Sequence, residues 1–144
     1  MADHCFTYGS LMCADIMSAV TGIVLVGEAA RLSGHARHPL AGEDYPGVVA
    51  DPAAAVDGVL YRGLEAPALA RLDAFEGEMY ARVRVPVNLV GGGEVAAWCY
   101  ILRDPYRDRL LPGEWDFETF LATGKARFQA RYMGFAALAR DGRE

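Results

Sequence analysis

The sequence is poor in cysteine. Three thiols, Cys5, Cys13 and Cys99, occur in 144 residues. They are odd in number and contain no CxxC pair, which argues against a disulfide framework or a zinc knuckle and fits a reducing compartment. Basic charge is not in excess either: 14 Lys and Arg against 19 Asp and Glu give a net charge of −5. Nucleic-acid binders usually carry a clustered basic surface, so small molecules or proteins are the expected partners. No uninterrupted apolar run approaches the ~18 residues of a membrane span, and no basic stretch followed by an apolar segment opens the chain. A soluble, cytoplasmic protein with no nucleic-acid and no membrane partner is expected. The GxxxxGK[ST] and GxSxG patterns are missing, which leaves a phosphate-binding P-loop and a serine-hydrolase elbow without support. His35 and His38 form a single His-x-x-His with no acidic or cysteine partner nearby, and His4 is far away in sequence; no metal site is expected.

What is present is a hydrophobic content of 53% in a length typical of one compact domain. Such a chain buries about two-thirds of its unfolded surface and needs no covalent staple. Sixteen glycines point to many tight turns. The β-forming residues His4 to Tyr8 read as a strand running into a loop at Gly9-Ser10-Leu11, with a short helix over Ala14 to Val20. Ile23 to Val26 opens a second strand region reaching irregularly to about Leu40. Tyr45-Pro46-Gly47 reads as a turn before Val48-Val49, and Val56 to Leu64 as a further strand. From Ala66 to Glu76 the period becomes helical, with Gly77 as a natural stop. Met79 to Leu89 alternates as a half-buried strand with Ala81, Val83, Val85, Val87 and Leu89 inward; Glu94 to Leu102 is apolar on both faces and reads as a strand covered on both sides. Residues 105–144 form a C-terminal helical extension, with Phe117, Leu121 and Phe128 at helical spacing around Gly124. The whole is a single α+β domain, 1–144, around a mainly antiparallel, barrel-like sheet.

Two segments stand out chemically. Glu76 lies four residues after Leu72 and seven after Leu69, on the helix face expected to be buried, and in the last turn before Gly77. Desolvation and the negative end of the helix both oppose its ionisation, and Asp73 one turn earlier adds like charge. A carboxyl so placed suits proton transfer near neutral pH, the alternative being a solvated helix end. The loop Tyr8-Gly9-Ser10-Leu11 follows a strand and enters a helix, so its N–H groups suit a carboxylate or oxyanion, the alternative being a plain turn. Arg82 and Arg84 face away from the apolar side of their strand and could meet an anionic substrate or only solvent. Tyr45, Tyr80 and Tyr100 could line a pocket or belong to an ordinary sheet. Cys99, in an apolar strand, reads as an inert core thiol.

The ordered set Phe6-Thr7-Tyr8-Gly9-Ser10-Leu11, Tyr45-Pro46-Gly47, Val59-Leu60-Tyr61 and Leu72-Asp73-Ala74-Phe75-Glu76-Gly77, followed by Tyr80-Ala81-Arg82, resembles the gamma-glutamylcyclotransferase-like family. Within it, the branch of gamma-glutamylamine cyclotransferases and plant avirulence-induced-gene products is the most similar, and Gly113 to Glu118 is like the plant members. The resemblance covers residues 6 to 102 well and 113 to 121 more loosely. It implies a small closed or nearly closed β-barrel with flanking helices. It further implies Glu76 as the acid/base and a substrate-binding set of Tyr8, Gly9, Ser10, Leu11, Tyr45, Arg82 and Tyr100. The implied reaction cyclises a gamma-glutamyl amine or peptide to 5-oxoproline with no cofactor. A non-catalytic ligand-binding domain, or a gamma-glutamyl hydrolase or transferase on another acceptor, would use the same residues. Met12 departs from the pattern, since a basic residue is common at that place.

Overall fold

The computed structural model describes residues 3–132. Five strands form a closed barrel in the order β1-β3-β2-β4-β5: β1 Asp3–Thr7, β2 Gly27–Pro39, β3 Pro46–Leu64, β4 Tyr80–Leu89 and β5 Glu94–Leu102. Every pair is antiparallel except β1 with β5, which closes the barrel in parallel with Cys5 opposite Trp98. Closure removes the exposed edges that an open sheet would present. The expected mainly antiparallel barrel with flanking helices is what the chain forms. A short 3₁₀ turn, Ser10–Met12, and α1, Ala14–Thr21, follow β1; α2, Ala66–Glu76, links β3 to β4.

Two apolar layers result. Phe6, Leu32, Val48, Val56, Leu60, Val87, Ala97 and Cys99 fill one cluster. Ile16 and Met17 of α1, Leu69 and Leu72 of α2, Tyr61, Leu102 and the aromatics of the tail form the other, where the helices pack on the barrel. β5 contributes to both, Ala97 and Cys99 to the first and Tyr100 and Leu102 to the second, which is why both its faces are apolar.

Several local readings need correction. Ile23 to Val26 lies outside β2, with Val24 and Val26 almost fully exposed; local β-propensity is overridden because these residues have no strand to pair with. Val48-Val49 and Val56 to Leu64 are two parts of one 19-residue strand, and Pro46-Gly47 belongs to its start. The register against β2 changes between Ser33 and His35, and within the displaced stretch the Asp51 carboxylate accepts from the Ala53 N–H at 3.0 Å. Pro52, which has no N–H, interrupts the ladder without turning the chain. In β4, Ala81 and Val83 are exposed and Tyr80 is buried, because that end of the strand is covered by the helical side and not by the barrel interior.

The tail returns to the barrel. Asp116 caps α3, Phe117–Thr119, by accepting from the Thr119 N–H at 3.1 Å. A π-helical turn, Phe120–Gly124, leads into α4, Lys125–Tyr132. Phe120 and Phe128 are buried, whereas Leu121 of the expected stripe faces out; the five-residue π turn shifts the helical phase. Trp115 donates from Nε1 to the Asp44 carbonyl at 2.8 Å, and Arg127 and Arg131 pair with Asp44 and Glu43. Residues 133–144 of the expected extension lie outside the described residues.

Candidate active site

At one end of β1 the chain turns at Gly9 and winds into the 3₁₀ turn, and here the loop, the end of α2 and the middle and end of α4 surround a cavity of about 120 Å³. Tyr8, Gly9, Ser10, Leu11, Tyr45, Glu76 and Tyr100, all singled out from the sequence, line it. Arg82 does not: its guanidinium pairs with Asp73 at 2.8 Å and lies over the Trp98 ring, in a separate shallow groove.

The loop is held from several sides. Tyr61 donates to the Leu11 carbonyl at 2.9 Å, and Arg37 donates to the Tyr8 carbonyl at 2.9 Å. The Tyr8 hydroxyl donates to the Tyr100 carbonyl. Met12 and Cys13 give their N–H groups to the Gly9 and Ser10 carbonyls, at 3.0 and 3.1 Å. Among the described residues no carbonyl or side chain accepts from the N–H groups of Gly9, Ser10 or Leu11 outside regular ladders, which leaves three donors for a ligand. Glycine is required at position 9 by close approach: a Cβ there would lie 2.8 Å from Pro46 Cδ. Gly9→Ala is therefore expected to push the loop off Pro46 and, under the function proposed below, to lower kcat/KM about 10- to 100-fold, since small misplacements of positioning groups carry such losses. Steady-state kinetics checks this, and wild-type kcat/KM would show that the loop tolerates the shift.

Glu76 closes α2, and Gly77 follows at φ 74°, a left-handed conformation that turns the chain sharply into β4. The Glu76 side chain is half-buried in the cavity wall, and burial pushes its pKa up to about 8. No counter-charge or hydrogen-bond donor offsets that burial among the described residues. Asp73 plays no part in the shift, contrary to the like-charge expectation: its carboxylate is occupied by Arg82 and by the Tyr100 hydroxyl, which donates to it at 2.8 Å. Burial is the cause. Burial also pushes Cys5 up to about 12 and Cys99 and Tyr8 well above their ordinary values, so these neighbours stay neutral.

Sequence reasoning missed part of the wall. Phe75 and Tyr80 come from segments already marked, but Phe128 and Tyr132 reach the cavity from α4, some fifty residues further along the chain. Their helical spacing signalled packing and carried no sign of what they pack around. Arg37 was missed as well: its side chain is largely covered, and it lies over the Trp115 ring while holding the loop. Among the described residues no cluster of three or more His, Cys, Asp or Glu is arranged to hold a metal ion, and no helix is long and apolar enough to cross a membrane.

Known proteins share this sequence and architecture. The sequence pattern of the family described as "Gamma-glutamyl cyclotransferase, AIG2-like" matches residues 5–117. AIG2-like protein C of Arabidopsis thaliana is 33% identical over 126 residues, covering 85% of this chain and 72% of the relative. A solution structure of an Arabidopsis thaliana protein superimposes with a TM-score of 0.71 at 26% identity, covering 96% of this chain and 93% of that one. A solved gamma-glutamyl cyclotransferase shares the fold, with a TM-score of 0.63 at 19% identity over 72% of this chain and 68% of the other. A family pattern spanning most of the barrel, and plant relatives at one-third identity, establish that the chain belongs to the AIG2-like gamma-glutamyl cyclotransferase family, in the branch of the plant AIG2-like proteins.

Proposed function

We propose that this protein is a gamma-glutamyl cyclotransferase that converts a gamma-glutamyl amine or peptide to 5-oxoproline and a free amine, with Glu76 as its acid/base. The observation that carries this reading is an unpaired, half-buried carboxyl with a pKa near 8 in the same cavity as the three free loop N–H groups. Membership of a family that includes gamma-glutamyl cyclotransferases supports it.

The chemistry follows from matching proton affinities. A peptide amino terminus has a pKa of roughly 8, and the α-amine of a gamma-glutamyl compound, beside its own free carboxylate, titrates somewhat higher; a carboxylate raised to about 8 is far better matched to it than an ordinary glutamate, which favours general acid–base catalysis. With its proton on Glu76, the amine nitrogen attacks the side-chain carbonyl carbon of the same molecule, forming the ring C–N bond. The tetrahedral oxygen and the substrate α-carboxylate are the two negative groups present, and the N–H groups of Gly9, Ser10 and Leu11 are the donors available to them. The C–N bond to the departing amine then breaks as Glu76 returns the proton to its nitrogen, and the ring nitrogen gives up its own extra proton through the freed carboxylate, leaving the lactam N–H and an amine that departs as an ammonium ion. Attack is intramolecular, so no covalent enzyme intermediate, water, oxidant or organic cofactor is consumed.

The test is direct. Purified protein is incubated with gamma-glutamyl peptides, gamma-glutamyl alkylamines and gamma-glutamyl lysine conjugates, and 5-oxoproline is measured by chromatography. Release from at least one class, in stoichiometric balance with free amine, is expected. Release of glutamate in place of 5-oxoproline would assign a hydrolase instead, because water would then be the nucleophile.

A further inference from the structure

Beyond the proton-transfer site, the cavity has a second wall of distinct chemistry. Tyr45, Phe75, Phe128 and Tyr132 form one connected group of rings: centroids are 6.2 Å apart for Tyr45 and Phe128, 5.7 Å for Tyr45 and Tyr132, 5.9 Å for Phe75 and Phe128, and 5.0 Å for Phe128 and Tyr132. Three of these contacts are edge-on, the packing preferred by aromatic pairs, so the rings leave faces and edges for another ring to meet. The loop donors share the lining with these rings, and they are the groups suited to the charged glutamyl end.

Among the described residues, charge on this wall is absent or already paired, and no Lys or Arg lines the cavity. Glu43, behind the wall, accepts from Arg131 at 3.1 Å and from the Tyr132 hydroxyl at 2.7 Å, and Arg127 pairs with Asp44. Among the described residues, a leaving group that carries a carboxylate would lose its hydration here without finding a cation; an ammonium would find Glu43 and Asp44 taken by Arg131 and Arg127, and Glu76 engaged in proton transfer. A neutral aromatic body loses nothing and gains contact area.

Resting on the cyclotransferase reading above, we infer that Phe128 and Tyr132 of α4, with Tyr45 and Phe75, form a specificity site for the departing amine, and that this site selects an uncharged arylalkyl amine over an amino acid. The reaction stays balanced as before: the ring C–N bond forms, the bond to the arylalkyl nitrogen breaks as one proton passes through Glu76 to that nitrogen, and the ring nitrogen loses its extra proton to leave the lactam N–H.

A matched set of substrates tests it. Gamma-glutamyl phenethylamine and gamma-glutamyl phenylalanine differ only in the carboxylate of the leaving group, and gamma-glutamyl methylamine lacks the ring. The expected order of kcat/KM places phenethylamine at least about tenfold above each of the others. In Phe128→Ala and in the milder, rim-located Tyr132→Ala, the preference for phenethylamine over methylamine should collapse to within about threefold. Phe128 is almost fully buried and its truncation can cost folding, so the partly exposed Tyr132 provides the second reading. Equal or better turnover of the phenylalanine or methylamine conjugate, or an undiminished preference in folded Tyr132→Ala, overturns the specificity site while leaving the cyclotransferase standing. No 5-oxoproline from any of the three or from the wider panel overturns the cyclotransferase and the specificity site with it.

Discussion

Replacing Glu76 by glutamine is expected to lower 5-oxoproline release by roughly 10²–10⁴-fold, the usual contribution of a general acid–base group, with a much smaller change in ligand affinity. The amide keeps the size and polarity of the side chain and removes only the ability to take and return a proton. Stability should move the other way. Glu76 is raised from 4.5 to about 8 by burial, so the folded protein retains a proton that the unfolded chain releases between those values. Linkage then makes the wild type most stable, as far as this group goes, below about pH 4.5. That contribution is lost as pH rises through about 8, amounting to as much as about 5 kcal/mol at roughly 1.4 kcal/mol per tenfold. Glu76→Gln escapes the loss. Its thermal midpoint should equal that of the wild type near pH 4 and exceed it increasingly up to pH 9. Near-normal turnover in the variant would end the glutamate mechanism, whatever the stability curve shows.

The pH–rate profile should carry the second large effect. If proton acceptance by Glu76 limits kcat/KM, activity rises tenfold per pH unit up to a limb near 8 and at pH 6 is about a hundredth of its plateau. An unperturbed glutamate would place that limb near 4.3. The substrate amine titrates in the same range, so the enzyme group needs its own readout. Carbon-13 NMR of side-chain carboxyls in the free protein should show one glutamate titrating near 8, and its resonance should be missing in Glu76→Gln. Asp73→Asn should leave that value nearly in place, because Asp73 is engaged by Arg82 and Tyr100 and burial alone raises Glu76. A drop of a full unit in Asp73→Asn would restore the like-charge explanation.

Much of the fold was legible locally. The helix Ala66 to Glu76 announced itself by its period and by Gly77, and β4 and β5 by their bounds. Elements of this kind are set by repeat and by turn chemistry over ten residues or so, and both are properties of neighbours in sequence. Orientation within them was less legible. Alternation in β4 pointed Ala81 and Val83 inward and left Tyr80 unassigned, because a strand whose two ends face different neighbours does not have one inner face.

The candidate site divides along the same line. The sequence by itself determined the acidic helix end at Glu76, the glycine after β1 and the aromatic-rich segments, since these are choices of residue type at local positions. Tertiary structure alone decided that Arg82 turns to Asp73 and Trp98 and away from the cavity, since ion pairing and ring stacking across strands depend on register. It also decided that Phe128 and Tyr132 stand against Tyr45 and Phe75. That contact joins segments dozens of residues apart through the Trp115 anchor and the Asp44 and Glu43 ion pairs. The closure of the barrel through the parallel β1–β5 pair is of the same kind. Burial is a property of the closed barrel and its docked tail, and it is burial that gives Glu76 a pKa near 8.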